Sequence, residues 1–161
     1  MALPPPPVRP DPDHIPDEQE LREDLAAAYR LIALYGMTDL VFTHLSVRLP
    51  GEGHRFLVNP YGLLFEEITA SSLVVVDAEG EPAQKTDWPV NPAGFVIHSA
   101  VHVGRESAQC VMHTHTLAGM AVAAQAGGLL PLNQISMEFD GRVAFHAVSY
   151  THLTLPTNRE V

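Results

Sequence analysis

The run Cys110-Val111-Met112-His113-Thr114-His115-Thr116 constrains this chain more than any other stretch. It follows a segment of helical spacing, begins as an apolar run and closes on two histidines one residue apart. Side chains alternate faces along an extended strand, so His113 and His115 point the same way. Two imidazoles on one face at a strand end can share a metal ion. Two ligands do not complete a site, however: a catalytic zinc takes three protein ligands and keeps one position open. In a chain with nine histidines, the HxH spacing by itself does not separate a metal half-site from two plain histidines at a strand end.

The chain around that run has 161 residues. That is enough for one domain with a core of its own and too little for two of ordinary size. Apolar residues make up 46%, a globular composition, and the net charge of -10 opposes non-specific binding to nucleic acid or to an anionic membrane surface. With no run of about 18 apolar residues, no membrane-spanning helix is expected. The N-terminus offers prolines and acidic residues where a signal peptide needs a basic and then an apolar stretch. The single cysteine, Cys110, cannot close an internal disulfide and reads as a small buried hydrophobe. A reducing, cytoplasmic setting is therefore expected.

Residues 1–16 hold half of the fourteen prolines and read as an extended, disordered tail outside the packed domain. Asp17 then caps a helix, with Glu20 as its capping-box partner. Leu21, Leu25, Ala28, Ile32 and Tyr35 form its apolar stripe, and Gly36 ends it. Residues 42–49 read as a strand with Phe42, His44, Ser46 and Arg48 on one face. Gly51-Glu52-Gly53 turns it into a second strand over 54–59. Pro60-Tyr61-Gly62 follows as a turn in which Gly62 is free to take positive φ. Leu73-Val74-Val75-Val76 is a β-branched strand ending at Asp77. Residues 81–92 form a loop anchored by burial of Trp88. Over 93–105 the spacing turns helical, and His98 and His102, four apart, share a face. That HxxxH pair rivals HxH as a zinc binder, but the zinc-protease form carries Glu after its first histidine, and Ser99 stands there. Both are read as partly buried, hydrogen-bonded histidines, with His98 near the site. Residues 117–125 suit a tightly packed helix, while 129–134 and 142–147 bracket a turn at Asp140-Gly141. Strands and helices alternate without regular βαβ spacing, which points to α/β architecture with α+β layering on a largely antiparallel sheet.

Five segments in order carry a resemblance: Thr43-His44-Leu45-Ser46-Val47-Arg48, Asn59-Pro60-Tyr61-Gly62, Val76-Asp77-Ala78-Glu79-Gly80, Asn91-Pro92-Ala93-Gly94-Phe95 and Val111-Met112-His113-Thr114-His115. Together they resemble the class II aldolase and adducin N-terminal domain family across residues 18–147. The resemblance implies a three-layer α/β/α sandwich around a mostly antiparallel sheet, assembled as a homo-oligomer, often a tetramer. It implies that His113 and His115 are two ligands of a divalent metal, usually zinc, and that His44, Tyr61 and Gly62 line the substrate side. In the family's sugar-phosphate aldolases the metal holds substrate oxygens and stabilises an enediolate, and a Glu beside it moves protons. That Glu stands 19 residues before the first metal histidine, which here is Gly94. Pro92 and Ala93 replace the serines that hold a substrate phosphate, and His44 replaces an asparagine. The Asn-Pro-Ala-Gly form resembles the adducin-like branch.

The family's third metal histidine lies in an Asn-His-Gly segment well downstream of HxH. Residues 148–161, VSYTHLTLPTNREV, resemble in their first ten positions a translated sequencing adapter. They are read as a non-native tail on a C-terminally truncated domain spanning 17–147. His146 is too near HxH to be the family's third ligand, and His152 would be no ligand at all. The expectation is therefore a metal-dependent lyase or isomerase acting on a small oxygenated carbonyl compound. Its acid/base residue is absent and its metal site, for zinc or another divalent ion, is incomplete. A non-catalytic adducin-like binding or assembly module is the alternative, and a metal-free fold with structural histidines is the third.

Overall fold

A computed structural model describes residues 11, 13–51 and 53–144. The segment through Pro10, the tail 148–161, and His146 and His152 lie outside the described residues. The elements run α1 (Glu18–Leu34), β1 (His44–Arg48), β2 (Phe56–Val58), a 3-10 turn (Phe65–Glu67), β3 (Val74–Val76), α2 (Pro92–Gly104), β4 (Cys110–His113), α3 (Leu117–Ala123) and α4 (Gln134–Met137). The four strands form one sheet in the order β3-β2-β1-β4, and all three pairs are antiparallel.

Alternation along the strands divides the core in two. Leu45, Leu57 and Val75 point to one face and pack with Leu25 and Tyr29 of α1, together with Phe65, Ile68 and Leu73. Phe56, Val58, Val74 and Val76 point to the other and pack with Phe95 of α2. Helix, sheet and helix thus form the three layers that the sequence implies.

The start of α1 is as expected. The Asp17 carboxylate accepts from the Glu20 N–H at 2.9 Å, and Glu20 accepts from the Asp17 N–H at 2.8 Å. Such a cap is worth about 1 kcal/mol. The apolar stripe is centred differently: Leu25, Ala26 and Tyr29 are buried, while Tyr35 is 70% exposed. The Tyr29 hydroxyl accepts from the Leu45 N–H at 2.8 Å and lies 2.7 Å from the Leu45 carbonyl and 2.9 Å from Asn59 Oδ1. A polar tip that serves two strands has to sit where the helix meets the sheet, which Tyr35 at the helix end does not. Burial raises the Tyr29 phenol far above its ordinary pKa.

Other expectations are corrected. Trp88 is 44% exposed and does not anchor its loop by burial; the loop is tied instead by its backbone, with the Tyr61 N–H donating to the Pro89 carbonyl at 2.8 Å. Cys110 is exposed because it faces the α1 side of β4, and the cluster around α1 draws its strand residues from β1, β2 and β3. Helix α3 buries none of its residues and joins neither core cluster. Its composition fixes that it is apolar, not which surface meets it. Gly62 takes φ of +98° as expected. Gly80, at +86°, also needs to be glycine because a Cβ there would come within 3.0 Å of the Phe95 ring. Among the described residues no helix is long and apolar enough to cross a membrane.

Candidate metal and histidine centre

Sheet register gathers the histidines. His44 opens β1 and lies opposite His113, which closes β4. His115 follows two residues later. On the neighbouring side Ser46 pairs with Val58, so Asn59-Pro60-Tyr61-Gly62 leaves the sheet at the same end. Because His44 and Ser46 point to the α2 face, they meet His98 and His102 one helical turn apart on α2.

The two α2 histidines are buried and hydrogen-bonded. The His102 Nδ1–H donates to the Ala108 carbonyl at 2.8 Å. That leaves Nε2 of the neutral ring as an acceptor for the Ser46 hydroxyl at 2.8 Å. Ser46 Oγ in turn accepts from the His98 Nδ1–H at 2.7 Å. One serine proton therefore fixes both tautomers. Phe56 stacks on His102 with ring centroids 4.6 Å apart, and Arg48 donates to the His102 carbonyl. Burial first, and then the neighbouring histidines, push the His98 pKa down to about 2. Burial also lowers that of His102, outweighing the Ala108 contact that acts in the opposite direction. The expectation of hydrogen-bonded histidines near the site thus matches the geometry, and burial is more complete than expected.

His44 links this pair to the strand pair, with ring centroids 4.1 Å from His98 and 5.1 Å from His113. His113 and His115 converge, their Nε2 atoms 2.9 Å apart. The far nitrogen of His115, Nδ1, lies 2.8 Å from Asp39 Oδ2. Asp39 sits in the loop between α1 and β1, and nothing in the local pattern of the sequence singles it out. Ser46 was legible as a same-face neighbour of His44, but not as the bridge between two histidines.

Converging Nε2 atoms on partly buried rings suit two positions on a divalent ion. Among the described residues no group of three or more His, Cys, Asp or Glu side chains is arranged to hold a metal, so His113 and His115 offer two donors at most. The small cleft beside His44 is lined by Val58, Asn59, Val90, Asn91 and Phe95 and has a volume of about 20 Å³. That is room for roughly one water molecule. Tyr61 and Gly62 share the sheet end with His44 but are not part of that lining.

The chain is similar to several known proteins. The chain is 57% identical over 129 residues to a Caulobacter vibrioides protein assigned by name to the class 2 aldolases, a match covering 80% of this chain and 50% of that protein. It is 44% identical over 131 residues to rat (Rattus norvegicus) alpha-adducin, covering 80% of this chain and 18% of that protein. The solved L-fuculose 1-phosphate aldolase of Glaciozyma antarctica superposes with a TM-score of 0.78 at 34% identity, covering 92% of this chain and 63% of that one. The chain thus spans about half the length of the bacterial relative and less than a fifth of the adducin. Residues 23–160 match the model of one family, and on that match this chain belongs to the class II aldolase and adducin N-terminal domain family.

Proposed function

We propose that residues 17–147 carry the metal-binding face of an aldolase-type protein, with His113 and His115 as two ligands of zinc or a similar divalent ion. A further donor would come from outside the described residues. The observation that supports this most is the 2.9 Å approach of the two Nε2 atoms. When bound, such an ion supplies Lewis-acid polarisation of a carbonyl oxygen. The chain's own contribution is to hold the ligands and flank the substrate. His44 is fixed between His98 and His113, and Tyr61 and Gly62 stand at the same sheet end. The reaction class is lyase or isomerase chemistry on a small oxygenated carbonyl compound, in a cytoplasmic homo-oligomer of the tetrameric kind that the family resemblance implies.

Zinc titration of the full chain tests the site. The expected result is one zinc per chain, lost in His113→Ala. Background zinc that the substitution leaves unchanged would make both histidines structural.

A second reading is favoured by Gly94, which stands in the first turn of α2 at the position of the family's proton-transferring Glu. Glycine moves no proton. A non-catalytic binding or assembly module would hold zinc yet exchange no proton at the carbon beside the carbonyl in any of a panel of small carbonyl compounds. Measurable exchange selects the enzyme.

A further inference from the structure

Asp39 and His115 are 76 residues apart in sequence, yet the carboxylate lies against the imidazole nitrogen that faces away from His113. An ionised carboxylate has no proton to give, so the hydrogen in this 2.8 Å contact sits on Nδ1 of His115. In the neutral ring Nε2 is then the lone-pair nitrogen, and it is the atom aimed at His113 Nε2. The proton in the Nε2–Nε2 contact therefore belongs to His113. The loop that delivers Asp39 is a tight turn. The Phe42 N–H donates to the Asp39 carbonyl at 3.0 Å, and Leu40 takes φ of +49°, a region that bulky residues rarely adopt. Strain of this kind persists only where surrounding structure holds it, and here it accompanies the side chain that orients His115.

We propose that Asp39 is a positioning residue for the divalent metal, holding His115 in the Nδ1–H tautomer with its Nε2 lone pair presented to the ion. The proposal rests on the metal reading above. A carboxylate behind a metal-bound imidazole fixes the ring's orientation and raises its basicity, and removal of such a partner typically costs 10–100-fold in metal affinity. The half-exposed Asp39 is outside both core clusters, so its substitution should leave the fold intact.

The test uses the full chain with zinc alone. Affinity is read by competition with a chromophoric chelator, and the His115 tautomer by two-bond nitrogen–proton NMR couplings in the metal-free protein. Asp39→Ala is expected to weaken zinc binding by about 10–100-fold at unchanged stoichiometry and to release His115 from the pure Nδ1–H form. Asp39→Asn keeps an acceptor oxygen but no charge. It should restore the tautomer and bring the affinity loss below about tenfold, a rescue that a purely structural role would not show. Wild-type affinity in a folded Asp39→Ala chain, or an Nε2–H tautomer of His115 in the wild-type chain, would overturn this inference alone. A wild-type chain that takes up no zinc would overturn the metal reading and this inference with it.

Discussion

The two histidine pairs, His98 with His102 and His113 with His115, are joined through the His44 ring and held in opposite ways. The helix pair turns its inner nitrogens onto one buried serine hydroxyl. The strand pair turns its nitrogens onto each other. Spacing alone makes the pairs equivalent, since i, i+4 on a helix and i, i+2 on a strand both place two imidazoles on one face. The partners separate them. Ser46, Ala108 and Phe56 make the helix pair part of the core. In the strand pair Asp39 takes only the outer nitrogen of His115. A histidine pair is a candidate ligand set when its ring nitrogens converge on each other rather than on a buried side chain of the core.

The largest effect expected from this difference is on stability. Ser46→Ala leaves the His98 Nδ1–H and the His102 Nε2 without a partner in a buried site. At about 1–3 kcal/mol for each orphaned group, the loss should be roughly 2–6 kcal/mol in urea unfolding. His113→Ala, on a partly buried strand end, should cost about 1 kcal/mol or less while abolishing zinc uptake. Equal stability losses from the two substitutions would mean that the strand pair is as structural as the helix pair.

A smaller effect sharpens the same contrast through pH. His98 and His102 have folded pKa values below the ordinary 6.5, so the unfolded chain binds more protons than the native one once the pH falls below that value. The stability they contribute is complete above pH 6.5. It declines as the pH drops, continuing for His98 toward about 2. Between its folded and unfolded values His98 adds roughly 1 kcal/mol per pH unit to the slope, and His102 adds in the same direction. Urea unfolding between pH 6 and pH 4.5 should show this decline, and His98→Gln should flatten it by one proton's worth. An unchanged slope in that variant would place a charged His98 in the native core, against the tautomer chain running from Ala108 to Ser46.

How much of this was legible in the sequence follows from the range of each interaction. The capping box at Asp17 and Glu20, the positive φ of Gly62 and the shared face of His44 and Ser46 are local. Each follows from a few neighbouring residues and a backbone period. The resemblance supplied the layers and the antiparallel sheet. What remained hidden depends on tertiary placement. Tyr29 sits on the same helix as Tyr35, and only the position of β1 beneath it decides which tyrosine is buried. Asp39 is indistinguishable from any loop aspartate until the turn at Leu40 brings it to His115. Cys110 and Trp88 were expected inside because their types are often buried, and type says nothing about which face an edge strand or a loop presents.

The smallest expected effect concerns the two faces of β4. Val111 and His113 pair with Ser46 and His44 and point to the α2 side, toward the histidine centre. Cys110 and Met112 point the other way, and Met112 is 61% exposed. Cys110→Ser swaps sulfur for oxygen on that open face, so stability should change by no more than about 0.5 kcal/mol, with zinc uptake unaltered. The native thiol should also react fully with a soluble disulfide reagent without denaturant. A protected thiol, or a loss of 2 kcal/mol or more, would show that the α1 side of β4 is covered in solution. In that case β4 would be buried on both faces, and its alternation would no longer separate a working face from an idle one.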